Sequence, residues 1–177
     1  YPEIPSDKDR LYVALYARGG APTVPGKEDT YHWALIIGLK IEIQGKMGVR
    51  YHAKEKPKVG GGSEWIFEER EYPLTATNML LVRVIISKKS SSTNPTYNTH
   101  KLNPSGMELR CLDTALETLQ TDYTALCTSF IDWKTVRNES VSYCQRKKDQ
   151  HRFDRQGNSD ITKASTYDLV ECKEITI

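Results

Sequence analysis

No stretch of this 177-residue chain approaches the roughly 20 consecutive apolar residues that a helix needs to cross a bilayer, so no membrane partner is expected. Cysteine is sparse. Cys111, Cys127, Cys144 and Cys172 stand far apart, with no C-x-x-C pair and no His–Cys spacing of the kind that zinc sites use. A domain of this size can bury enough core to stand without cross-links, so free thiols, no metal and no cofactor are expected. Charge of one sign is not in excess either: 25 Lys and Arg against 23 Asp and Glu leave +2, too weak a field to steer nucleic acid by itself. The chain opens without a basic segment running into an apolar one, so no export signal is read. No internal repeat divides it, and a single monomeric domain over residues 1–177 is expected.

What is present is a pattern of short apolar runs followed by helical spacing. Leu11–Tyr16 reads as a buried strand that ends in an Arg-Gly-Gly-Ala-Pro loop. Tyr31–Gly38 reads as another. Trp33, Leu35 and Ile37 fall on one of its faces and Ala34 and Ile36 on the other, so it belongs inside a sheet, with His32 as its one ionisable residue. Further strands are read at Ile41–Ile43, Gly48–Ala53, Trp65–Glu69 and Met79–Ser87, arranged as an antiparallel meander. A polar Lys- and Ser-rich link follows at 88–93, and the character then changes. Leu109, Leu112, Leu116 and Leu119 recur at helical spacing after Pro104-Ser105-Gly106. Asp132 caps a second helix with Trp133, Val136, Tyr143 and Cys144 on one stripe. The expected fold is α+β: a mainly antiparallel sheet, rich in strand over 10–88, packed against two or three helices within 105–150 and closed by a strand at 166–171.

The blocks YVALYARGGAP, PGKEDTYHWALIIG, GVRYHAKE, WIFEER, TNMLLVRVII, DWKTVR, QHRFD and TYDL together resemble a family of uncharacterised fungal proteins common in mushrooms, over nearly the whole chain. The run YHWALIIG followed by YHA is also similar to the start of the permuted papain-like proteins, the group of lecithin:retinol acyltransferase. That resemblance implies a His on one strand, a His or polar residue on the next, and a Cys opening a later helix. One imidazole takes the thiol proton, the second group orients it, and the helix N-terminus favours the thiolate. His32 and His52 fill the first two positions. For the third, aligning the family's Ala-Leu-Glu on Ala115-Leu116-Glu117 sets Glu108 where the Cys would stand, whereas a slip of three residues restores Cys111.

Two enzymatic functions follow as expectations, the rRNA N-glycosylase as the leading one, because Glu108 where a Cys would stand tells against thiol chemistry, and the cysteine hydrolase as its alternative. The permuted papain-like resemblance implies a cysteine hydrolase or acyltransferase using His32, His52 and Cys111. The size, the fungal blocks and the basic late segment also resemble mushroom ribosome-inactivating proteins, which implies an rRNA N-glycosylase that removes an adenine from large-subunit ribosomal RNA, with the ribosome as partner and a place in the cytoplasm or in store in the fungal body. That chemistry needs rings to stack the unstacked base, a donor for the leaving purine and an acid to steady the oxocarbenium ion. Tyr31, Trp33 and Tyr51 are the candidate rings, Arg50 or His52 the donor, Glu108 the acid, and Arg146, Lys147 and Lys148 the phosphate contacts. Plainer readings stand beside these. Glu108 completes an S-x-x-E capping box from Ser105, the aromatic residues suit a core, the basic trio suits a helix end, and Glu64, Glu68, Glu69 and Arg70 suit the solvent side of a strand. A binding module that retains the fold without the catalyst is the third expectation.

Overall fold

The computed structural model describes residues 9–18, 31–39, 47–75, 77, 79–88, 132–154, 156, 157 and 160–175. Its strands are β1 (Asp9–Tyr16), β2 (His32–Leu39), β3 (Met47–Pro57), β4 (Ser63–Pro73), β5 (Leu80–Lys88), β6 (Thr166–Asp168) and β7 (Lys173–Glu174), with helix α1 (Trp133–Asp149) between β5 and β6. They form one mixed sheet in the order β4-β3-β2-β1-β5-β6-β7. The first four strands make the expected meander. β5 returns to the free edge of β1, and β6 then joins β5 in parallel, an exception to the antiparallel expectation. The fold is thus α+β and dominated by its sheet, with one helix among the described residues rather than two or three. The strand expected at 41–43 and the helix expected from 105, with Glu108 and Cys111, lie outside the described residues.

β1, β2 and β5 sit inside the sheet because they are apolar on both faces, as a strand covered on both sides must be. One face gathers Leu11, Val13, Leu15, Trp33, Leu35, Ile37, Tyr51, Val82 and Val84 with Val136, Tyr143 and Cys144 of α1. The other gathers Tyr12, Ala14, Tyr16, Ala34, Ile36, Leu74 and Ile85. Trp33 is fully buried and meets Trp133 with ring centres 5.7 Å apart. Each large apolar side chain taken out of water in this way contributes roughly 1.5–3 kcal/mol.

Asp132 starts α1 as expected: its Oδ1 accepts from the Thr135 backbone N–H at 3.0 Å, while Thr135 Oγ1 donates to Oδ2 at 2.6 Å. Val136, Ser140, Tyr143, Cys144 and Lys147 form the buried stripe, at the three- and four-residue spacing that keeps one helix face against the sheet. At the other end, Arg146, Lys147 and Lys148 occupy the last turn, where cations meet the negative pole of the helix.

β3 and β4 pair over their whole length, from Met47↔Pro73 to Pro57↔Ser63. β3 meets β2 only at Leu35↔Tyr51, Ile36↔Arg50 and Ile37↔Val49, so the far half of the hairpin extends past its neighbour. Its turn closes with Lys58 N donating to Gly62 O and Gly61 N to Lys58 O, through three glycines with φ of +100°, +101° and +81°. Residues with a Cβ rarely adopt that conformation, which explains the Gly60-Gly61-Gly62 run. The predicted strands at 48–53 and 65–69 are longer in the structure because their charged outer halves pair with each other rather than with a core.

Candidate functional site

Side chains alternate along a strand, so His32 shares a face with Ala34 and Ile36, and Arg50, His52 and Lys54 share a face of β3. The pairing Ile36↔Arg50 puts these two sets on the same side of the sheet, the side away from α1. Continuing that register by two residues sets His52 beside Ala34, so His32 and His52 are diagonal neighbours, within reach of one another. On the next strand His52 faces Glu68 directly.

The contacts follow that arrangement. His32 Nε2 lies 2.8 Å from His52 Nδ1, with the two rings at 87° to each other. His52 Nε2 lies 2.7 Å from Glu68 Oε2, and Glu68 Oε1 accepts from Lys54 Nζ. Only 5% of His52 is exposed, and burial lowers its imidazole to about 4 although the Glu68 hydrogen bond pulls the other way. Hydrogen bonds from Lys54 and then His52 hold the Glu68 carboxyl at about 2. At neutral pH His52 is therefore neutral and Glu68 anionic, so their contact is a charge-assisted hydrogen bond rather than an ion pair.

The tautomers then follow. Glu68 can only accept, so His52 carries its proton on Nε2 and presents a lone pair at Nδ1. His32 must donate to that lone pair from Nε2, which makes Nδ1 its basic atom. A carboxylate orienting one imidazole, which orients a second, is the arrangement that fixes a general base in a single tautomer.

Arg50 stands over the same cluster. Its guanidinium carbon is 4.4 Å from the centre of the Tyr72 ring and 5.6 Å from that of Tyr16. Tyr16 in turn lies 5.9 Å from the His32 ring. Burial, with Tyr72 beside it, raises the Tyr16 phenol far above its usual range, so it is protonated at any ordinary pH.

The other expected site residues lie elsewhere. Tyr31, Trp33 and Tyr51 are next to the histidines in sequence, but alternation turns them to the opposite face, where they are 0–2% exposed and pack under α1. They are core residues and do not line the histidine face. The basic trio also lies on the helix side. Arg146 rests 5.4 Å and 5.5 Å from the rings of Tyr143 and Tyr167, Lys147 is ion-paired with Glu174, and Lys148 is exposed. The sheet separates all three from the histidines. Cys144 is a buried thiol that burial pushes up to about 12, consistent with an inert role. Glu108 and Cys111 lie outside the described residues, as does Cys127.

Four residues of the cluster were not anticipated in these roles: Tyr16, Lys54, Glu68 and Tyr72. Only Glu68 had a legible signal, since it lies on a strand adjacent in sequence to the one carrying His52. Among the described residues no group of three or more His, Cys, Asp and Glu is arranged to hold a metal ion. None of the described helices is long and apolar enough to cross a membrane.

A family described as a family of unknown function (DUF6914) matches residues 8–176. No curated protein and no solved structure matches the chain.

Proposed function

The chain belongs to DUF6914, a family of unknown function, and from that premise we propose that it is a hydrolase whose general base is His32, oriented by His52 and Glu68. The observation that carries this reading is the continuous chain of contacts at 2.8 Å and 2.7 Å from His32 through His52 to Glu68. Such a chain does for His32 what the third member of a nucleophile–base–orienter set does for its histidine. The reading also takes up the permuted papain-like resemblance. Cys111 is then the nucleophile, Nδ1 of His32 removes its proton, and the thiolate attacks an ester or amide carbonyl. The bond to the leaving group breaks, His32 returns the proton to that group, and water hydrolyses the thioester. Iodoacetamide should abolish hydrolysis of a simple aryl ester, and Cys111→Ala and His32→Gln should each do the same. Full activity in Cys111→Ala overturns the thiol mechanism.

A second reading, removal of an adenine from large-subunit ribosomal RNA, draws support from Arg50 and the partly buried Tyr72 on the histidine face, a cation and a ring in place of the buried Tyr31, Trp33 and Tyr51. Glu108 supplies the acid in that reading. Mammalian ribosomes incubated with the protein and then treated with aniline should release one RNA fragment, and Glu108→Gln should abolish it. No fragment at high protein concentration removes this second reading.

A further inference from the structure

We propose that Arg50 and Tyr16 form an oxyanion-binding subsite beside the His32–His52–Glu68 relay, so that the substrate carries a carboxylate or phosphate group next to its reacting bond. The proposal rests on the reading of that relay as the reacting site.

Three independent observations point to an anion. The first is Arg50 itself, a half-buried guanidinium whose Nε is shut off from solvent with no acceptor in reach. Among the described residues no carboxylate lies within ion-pair distance of it. Its Nη2 lies 3.4 Å from His52 Nε2, but Nε2 already directs its proton to Glu68 at 2.7 Å and has no lone pair to offer, which leaves the neutral Tyr16 hydroxyl as its polar neighbour. Arg50 is a cation held by neutral groups, the Tyr16 and Tyr72 rings and the Tyr16 hydroxyl, with no anionic acceptor among the described residues. A buried charge left in that state is costly, and a bound anion relieves it.

The second observation is Tyr16, only 4% exposed, whose Oη makes no hydrogen bond at ordinary distance although Arg50 and Tyr72 are its polar neighbours. Buried hydroxyls are ordinarily satisfied, and an orphaned one beside an orphaned guanidinium suggests that both serve one acceptor. Tyr72 stands beside Tyr16, with its hydroxyl shared with Thr77 Oγ1 at 3.2 Å.

The third is the register of the hairpin. Arg50 sits directly opposite Arg70, an arrangement in which like charges repel. Arg70 is exposed and, like Lys56 on the same face of β3, has no ion-pair partner among the described residues. Lys54 and Glu68 cancel one another. The face therefore keeps a net positive charge next to the relay, although the chain as a whole is almost neutral. Arg is suited to the role because its planar fork matches the two oxygens of a carboxylate or phosphate.

The experiment follows the Arg50 Nε–H resonance of the full-length protein by NMR at pH 7, titrating inorganic phosphate in one arm and acetate in the other against chloride at matched ionic strength. A saturable shift is expected with phosphate or acetate. The phosphate arm identifies a phosphate-bearing substrate, and the acetate arm a carboxylate. Backbone amide resonances of β3 report the same binding in the variants. Arg50→Gln should weaken it at least tenfold, and Arg50→Lys, which keeps the charge, should weaken it less. Tyr16→Phe should lose several-fold in affinity while its Tm without anion stays level or rises, because the orphaned hydroxyl is gone. The proposal is overturned if neither anion shifts the resonance beyond chloride, or if Arg50→Gln binds as tightly as wild type. Binding is read without turnover, so intact binding in a protein with no hydrolase activity overturns the relay reading and leaves the subsite standing.

Discussion

Lowering the pH from 7 to 5 should cost this protein about 2 kcal/mol of stability through His52 alone. In the folded chain its imidazole titrates at about 4, because burial opposes the charged form. In the unfolded chain it titrates near its ordinary 6.5. As the pH falls below 6.5 the unfolded chain takes up the proton first, so unfolding becomes coupled to proton binding and stability declines. The contribution is whole above 6.5 and is lost on the way down to 4. The gap corresponds to about 3 kcal/mol at roughly 1.4 kcal/mol per pH unit, of which about 2 kcal/mol is gone by pH 5. Glu68, held at about 2, adds its own loss only below its ordinary 4.5, so the window from 6.5 to 4.5 isolates His52 from it. Urea denaturation at half-unit steps from pH 7.5 to 4.5 measures this. With a slope of about 2 kcal/mol per molar, the midpoint should fall by about 1 M between pH 7 and pH 5. In His52→Gln most of that fall should vanish. A wild-type midpoint that stays level to pH 5, or a His52→Gln protein with the same slope, refutes the placing of His52 as a buried neutral imidazole.

Glu68→Gln replaces a carboxylate that can only accept with an amide that can present either its C=O or its NH2 to His52 Nε2, so the tautomer is no longer fixed. If the hydrolase proposal holds, turnover of an aryl ester should fall by about 10²-fold with little change in KM, as measured by steady-state kinetics. Trp33→Ala should destabilise the fold by about 3–5 kcal/mol in the same urea assay, because it empties a fully buried site between the sheet and α1. Gly48→Ala should lower the Tm and broaden the amide spectrum of β2 and β3. A Cβ there would lie 2.4 Å from the Ile37 carbonyl oxygen and 2.7 Å from Leu74 Cδ2, and the carbonyl belongs to the backbone and cannot step aside.

The parts of the fold legible in the sequence are those set by local patterning. β1 and β5 announced themselves as apolar runs and β2 as apolar on both sides, and Asp132 marked the start of α1 through its capping chemistry. The neighbourhood of His32 and His52 was also legible, through the echo of Tyr-His on two successive strands. What misled was adjacency. Tyr31, Trp33 and Tyr51 flank the histidines along the chain, but a strand sends neighbours to opposite faces, so they joined the core and not the site. Glu68 was read as solvent-facing because its partner depends on the β3–β4 register, which spans the hairpin and cannot be taken from either strand alone. The parallel seat of β6 depends on non-local pairing as well, and three residues carry too little pattern to reveal it.

The strict two-residue alternation of β3 binds chemistry and stability into one parity. Arg50, His52 and Lys54 occupy its even positions, and the buried Tyr51 one of its odd ones. Deleting a single residue between Met47 and Arg50 would exchange the two sets, pushing two cations and the histidine toward α1 and delivering a tyrosine to the face that carries His32. A one-residue slip of this strand cannot harm the site and spare the core. The pairing that seats Tyr51 in the core is thus the same one that brings His52 between His32 and Glu68.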